Sequence, residues 1–446
     1  MLQPPPVVAR PQAARSPWPA SLGLALIIAG QTLGWAIRGQ TGGGDSIVLP
    51  VGIVLVGFGL LLHASMLVRF RLYAPPLATA AALLLLLVPV TTLMFIDPDG
   101  LGQFLIYDIF AVGVIAAVAL NAPARFARFA ESLMLVAGAS SLAPLLELAL
   151  GGVTRGFVRL AISGNDNTLI VGTTGGIAML AAMVSAFSRR PGSFLWGAIC
   201  GGVWLIGLAA ALLSGTRSVF GMVLLLTPAY FLVLRQPSAA TQARNAKPSA
   251  FWLVMISGAI AAPTAAVAVL GVDTLTNITG RSLSRITGAL ALFDGSGAKL
   301  DESTAVRGQL ATESWATMSV WGRGVMALPY AHGNLLVYQH NAYLQAFYDL
   351  GLFGGGLYVA LTLLVPLALV AARLVNGSLS PVDQIAILLF IFVQGDMLAH
   401  STPYNWTPLL SIGLIYVLVA RDRPGLRPRP SWQKSASPFK TTHATI

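Results

Sequence analysis

Few side chains in this sequence have the types and settings that chemistry needs: His340 ahead of Asn341, and the arginines Arg155, Arg159, Arg217, Arg307 and Arg323. An imidazole can act as general base near neutral pH, and a guanidinium fork can hold a phosphate with two parallel hydrogen bonds. Asn341 is suited to cap the apolar run that follows it, which would set His340 beside a helix N-terminus. The dipole there disfavours imidazolium and leaves a neutral ring able to accept a proton. The same position also suits a surface histidine that merely closes the helix end. Ser214-Gly215-Thr216-Arg217-Ser218 reads as a tight turn between two apolar runs. Arg217 there either snorkels to lipid phosphate or clamps an anionic substrate. Arg307 and Arg323 face a similar choice, with Asp301, Glu302 and Glu313 close by as ion-pair partners. Asp97-Pro98-Asp99-Gly100 spells an acid pair that can hold a divalent metal, but Pro-Asp-Gly is also ordinary turn sequence. No second acid cluster with histidines accompanies it, so neither a metal nor a cofactor is expected.

The elements that must position these residues are set by an apolar solvent. Hydrophobic residues make up 56% of the 446 and charged residues 10%, against roughly 25% charged in soluble domains. Apolar runs of about 20 residues recur along the chain. They predict an all-α polytopic membrane protein with about twelve spans: 20–37, 46–68, 77–96, 103–121, 129–150, 168–188, 194–214, 217–234, 250–272, 342–372, 383–401 and 406–420. The first run lacks a small-residue cleavage site and reads as a retained helix. Cys200 is the sole cysteine, so no disulfide framework exists.

The net charge of +11 does not point to nucleic acid, because its distribution follows topology. With the N-terminus inside, most of the 27 lysines and arginines fall in inner connections (among them Arg69, Arg128, Arg189, Arg235 and Arg373) or in the tails, as the positive-inside rule requires. The chain divides into an inner N-terminal tail (1–19), nine spans (20–272), a large outer loop (273–341), three spans (342–420) and an inner tail (421–446). The outer loop carries Trp315, Trp321, Tyr330 and Tyr338 and reads as an ordered cap against the membrane. His63, Asp108, Glu147, Asp349, Asp396 and His400 fall in or near spans, which by itself suggests a transport path. Most lie near span ends, where solvation is cheap. Gly354-Gly355-Gly356 interrupts the tenth run, so 341–352 reads as a half-helix that would hold His340 over the membrane.

Three stretches together resemble the O-antigen ligase and polymerase superfamily of bacterial membrane glycosyltransferases. The strongest is Gln339-His340-Asn341-Ala342-Tyr343-Leu344 followed by Asp349-Leu350-Gly351-Leu352-Phe353-Gly354, with aspartate where the family usually has glutamate. The second is the Ser214–Ser218 turn. The third runs from Arg307 through Trp315 to Trp321-Gly322-Arg323-Gly324, with an arginine at an unusual position between the glycines. Gly164-Asn165-Asp166-Asn167 is a weaker fourth. The motifs span roughly 160–360; the flanks match by hydropathy alone.

The resemblance implies a GT-C-like fold in the bacterial inner membrane, both termini cytoplasmic, with the site on the periplasmic side. It implies a glycan donor on undecaprenyl pyrophosphate and an acceptor sugar hydroxyl. His340 would be the base; Arg217, Arg307, Arg323, Arg159, Arg155 and Asn341 would contact substrate. Polymerases of this superfamily often place a glycine eleven residues after an outer-loop arginine. Here those positions are Asp166, Leu292, Met318 and Asn334, after Arg155, Arg281, Arg307 and Arg323. Ligase, with lipid A–core oligosaccharide as acceptor, is therefore the reading the resemblance favours. Membrane lipid is the other partner implied; no nucleic acid is, and nothing in the sequence sets an oligomeric state.

Overall fold

The computed structural model describes residues 18–38, 51–52, 54–55, 128–150, 154–155, 159–160, 168–188, 194–235, 250–258, 302–323, 330–332, 335–337, 341–375, 379–399 and 411–415. These residues are almost wholly helical, with two short antiparallel ladders, Thr154–Arg155 on Arg159–Leu160 and Tyr330–His332 on Leu335–Val337. Among the described residues, five helices are long and apolar enough to cross a membrane, or six if one bent pair counts as a single span. The chain is thus an all-α membrane protein in type. The expected spans 46–68, 77–96 and 103–121, much of 250–272 and 406–420, and both tails lie largely or wholly outside the described residues.

Phe129–Ala149, Thr168–Ser188 and Phe194–Ser214 are 21 residues each. At 1.5 Å per residue that length matches a hydrocarbon layer about 30 Å thick. Leu135, Leu146, Phe194 and Leu195 are exposed on these helices, as suits an acyl-chain solvent.

The first expected span, 20–37, is not straight. Trp18–Ala29 and Gln31–Arg38 meet at Gly30 with a bend of 83° in the span they form. Gly30 N–H still donates to the Leu26 carbonyl at 2.8 Å, and Gly34 N–H to the Gly30 carbonyl at 2.9 Å. Thr32 Oγ1 fixes the second arm by donating to the Ser140 carbonyl at 2.6 Å.

Thr168–Ser188 and Phe194–Ser214 pack along glycines, because without interhelical hydrophobic drive only close backbone approach yields enough van der Waals contact. A Cβ on Gly175 would stand 2.6 Å from the Gly207 carbonyl oxygen, and the reverse holds for Gly207. At the far end of the first helix, Phe187 packs among Tyr230, Phe231 and Phe251. The Arg235 guanidinium sits 4.6 Å from the Phe187 ring centroid, a cation–π contact.

Pro381–Ala399 is the support that the site needs, and its start is strongly specified. Ser380 precedes Pro381, and Asp383 is the third helical residue. Asp383 N–H donates to Ser380 Oγ at 3.3 Å while Ser380 N–H donates to Asp383 Oδ2 at 2.8 Å, a reciprocal capping box with proline in the first helical position. Arg373 Nη2 also reaches Asp383 Oδ2 at 3.0 Å, so the buried carboxylate is paired.

Candidate functional site

The helix that follows His340 begins as its sequence predicts. Asn341 is extended (φ −151, ψ 116), and its side-chain oxygen accepts from Tyr343 N–H at 3.0 Å and Leu344 N–H at 3.1 Å. Two of the orphan donors of the first turn are thereby satisfied. His340 itself lies outside the described residues.

The break in this helix falls at Gly351, not at Gly354–Gly356. Gly351 has φ 73 and ψ −177 inside Ala342–Val359, a region of backbone space open essentially to glycine alone. The three later glycines continue the helix, because glycine permits a break without forcing one. The half-helix therefore runs from Ala342 to Leu350. A broken helix leaves backbone groups without ladder partners, and in an apolar surround they must be paired again. The Ser319–Arg323 loop does this. Arg323 N–H donates to the Asp349 carbonyl at 2.9 Å, and Leu352 N–H donates to the Ser319 carbonyl at 3.2 Å.

Close approach of the two backbones requires a second glycine. Gly322, at φ 78, faces the break: a Cβ there would stand 2.6 Å from Gly351 N and from the Leu350 carbonyl carbon. Ser319 Oγ closes the loop on itself by donating to the Gly322 carbonyl at 3.0 Å. The Trp321-Gly322-Arg323 and Asp349-Leu350-Gly351 stretches, 25 or more residues apart in sequence, are thus one structural unit. The loop helix Glu302–Thr317, which leads into it, sets Trp315 against Phe347 of the half-helix with ring centroids 6.3 Å apart.

Arg323 is anchored inside this unit by two of its five guanidinium N–H donors. Nη1 donates to Tyr348 Oη at 3.2 Å, Nη2 donates to the Thr317 carbonyl at 3.1 Å, and the guanidinium carbon lies 5.0 Å from the Tyr348 ring centroid. Among the described residues it meets no carboxylate, so the ion pair with Glu313 that the sequence offered does not form.

The buried face of the half-helix is polar where sequence reading expected interfacial solvation. Asp349 is 1% exposed and accepts from Gln345 Nε2 at 2.7 Å, one helical turn away. Tyr343 Oη donates to Gln394 Oε1, and Gln394 Nε2 donates to the Thr362 carbonyl at 3.0 Å. Pro366 has no N–H to offer that carbonyl four residues before it. Gln394 thus ties the helix before its break to the helix after it. Gln345, Tyr348 and Gln394 were not singled out from the sequence. The i,i+4 spacing of Gln345 and Asp349 was the one available signal.

The Ser214–Ser218 turn is the second centre. Gly215 has φ 65, Ser214 Oγ donates to the Ala211 carbonyl at 2.8 Å, and the Ser214 and Thr216 hydroxyls are 3.0 Å apart. Helix Arg217–Ala229 begins there, with Arg217 as its first residue. The turn lies against Gly172, where a Cβ would stand 2.6 Å from Ser214 Oγ. The half-helix and the elements that carry the turn pack on one stretch of Pro381–Ala399: Gln394 holds Tyr343, Phe392 fills the space beside Gly176, and Gly395 leaves room for Met222 of the helix that leaves the turn.

Arg155 and Arg159 are Cα partners across the first ladder, and Arg307 lies in the loop helix. The side chains of Arg155, Arg159, Arg217 and Arg307 fall outside the described residues, as do Asp97, Asp99 and Gly164–Asn167. No group of three or more metal-ligating side chains occurs among the described residues. Compared with known proteins, the chain matches no family model and no curated protein.

Proposed function

We propose that this protein is a membrane glycosyltransferase resembling the O-antigen ligases. In this reading it moves a glycan from undecaprenyl pyrophosphate to a sugar hydroxyl of lipid A–core oligosaccharide, at the periplasmic face of the bacterial inner membrane. The acceptor hydroxyl loses its proton to His340 and attacks the anomeric carbon, and the lipid pyrophosphate departs. Arg217 and Arg307 hold the charge that develops on the leaving group, with Arg155 and Arg159 as further phosphate contacts. Fixed guanidinium groups can serve where other transferases use a metal, so transfer is expected to be metal-independent and inverting.

The observation that carries the reading is the Asn341 cap on a short half-helix. It supports a neutral base at residue 340, because imidazolium beside the positive end of a helix is disfavoured. The test is reconstitution of the purified protein with undecaprenyl-pyrophosphate glycan and core lipopolysaccharide. Glycan on lipopolysaccharide is expected, and His340→Ala should abolish it without loss of membrane insertion. Elongation of the donor itself would indicate a polymerase, and transfer to a protein hydroxyl a protein O-oligosaccharyltransferase. Activity lost to a chelator and restored by magnesium would overturn the metal-independent part.

A transporter of solutes or lipid-linked glycan is the reading from another class, favoured by Glu147 and Asp396, each half-buried in an apolar helix. It requires substitutions at Asp108, Glu147 or Asp396 to matter more than His340→Ala.

A further inference from the structure

We propose that Arg323 is a positioning residue, which locks the Ser319–Arg323 loop onto the break at Gly351 and so fixes the half-helix Ala342–Leu350, rather than a side chain that holds the phosphate of a substrate. Three independent contacts from one residue converge on this. Its backbone N–H takes the Asp349 carbonyl, and its guanidinium reaches Tyr348 Oη on one side and the Thr317 carbonyl on the other. Thr317 ends the loop helix and Tyr348 lies just before the break, so the guanidinium joins the two elements directly. The guanidinium also makes a cation–π contact with the Tyr348 ring.

With Nη1 and Nη2 each already holding one partner, the guanidinium is fixed in a bridging orientation rather than free to follow a substrate. The glycines give the reason for so much fixing. Backbone packed on backbone at Gly322 and Gly351 leaves no side chains there to interdigitate, so at the break itself the register depends on hydrogen bonds and on the Arg323 side chain, with the Trp315–Phe347 contact lying a turn away. A loose register would free the Asp349 carbonyl and Leu352 N–H, both of which need partners in an apolar surround.

The test is hydrogen–deuterium exchange on the full-length protein in lipid nanodiscs, read over peptides covering 319–323 and 349–353. Arg323→Ala should raise exchange at both peptides by about ten-fold or more, through loss of both guanidinium hydrogen bonds. Peptides from Thr168–Ser188 should not change. Tyr348→Phe, which keeps the fold and the guanidinium, should raise exchange at the same two peptides by a smaller factor. The double variant should add little to Arg323→Ala. In a transfer assay, Arg323→Ala should lower kcat and leave the donor KM within about two-fold. Unchanged exchange in both single variants would overturn the proposal, as would a donor KM that rises while exchange stays at the wild-type level. The exchange readout needs no donor or acceptor, so it succeeds or fails separately from the transfer reaction.

Discussion

At Gly175 and Gly207 two unbroken helices cross so closely that each glycine leaves room for the other's carbonyl. At Gly322 and Gly351 a loop and a helix approach as closely, but both glycines have positive φ and the helix is interrupted. In the first contact every backbone group keeps its own ladder, and glycine serves only to thin the helix. In the second the ladder is cut, and the approaching loop supplies the replacement hydrogen bonds. Glycine motifs of similar spelling thus do different work, and the backbone angle distinguishes them. The continuous contact depends on close packing alone; the broken one depends also on conformation and on defined partners.

That distinction is sharpest under substitution. Gly351→Ala should be the most damaging, about 3 kcal/mol or more, since it combines backbone strain of about 1–3 kcal/mol with a clash that displaces the loop and its hydrogen bonds. Thermal unfolding in detergent, with exchange over 349–353, measures it. A loss below about 1 kcal/mol would mean that the break is not held by the loop.

Gln394→Leu should follow at about 2 kcal/mol, because it removes one partner of the buried Tyr343 hydroxyl and the side-chain partner of the Thr362 carbonyl together. Tyr343→Phe in that background should recover part of the loss, and a double-mutant cycle on midpoint denaturation reads the coupling.

Asn341→Ala should cost about 1 kcal/mol through loss of the cap, while Asn341→Asp keeps the acceptor and should be nearly neutral in stability. Gly207→Ala should cost less than Gly351→Ala: its Cβ displaces the Gly175 carbonyl oxygen, 2.6 Å away, by over-packing of about 1–3 kcal/mol, but a gain of about 1 kcal/mol in helix propensity opposes this and no backbone strain is added. Equal losses from Gly207→Ala and Gly351→Ala would erase the difference between the two contacts.

What the sequence made legible is what the membrane dictates. Phe129–Ala149, Thr168–Ser188 and Phe194–Ser214 match their expected bounds to within a residue, since bilayer thickness sets the length of an apolar helix. The Asn341 cap was legible for a local reason: the acceptor and its two donors lie within three residues. The bend at Gly30 and the break at Gly351 were not, because each is stabilised by partners far along the chain, Ser140 for the first and Ser319–Arg323 for the second. Gly354–Gly356 looked the better breaker by composition, yet no loop meets it among the described residues. Arg323 looked like a phosphate ligand or an ion-pair partner, and only the fold brings Tyr348, 25 residues on, beneath its guanidinium.

Biosynthesis gives the support helix Pro381–Ala399 a further consequence. Chains are made from the N-terminus, so the turn at Ser214–Ser218 and the half-helix after Asn341 both leave the ribosome before Phe392, Gln394 and Gly395 exist. Each must wait in the membrane without its eventual support. The capping box at Ser380–Asp383 and its link to Arg373 join residues no more than ten apart, so this local structure can close soon after it emerges. Closing it delivers the support to both waiting centres at once, and the core is then left open only to the residues that follow, among them the buried Ile412, Leu414 and Ile415.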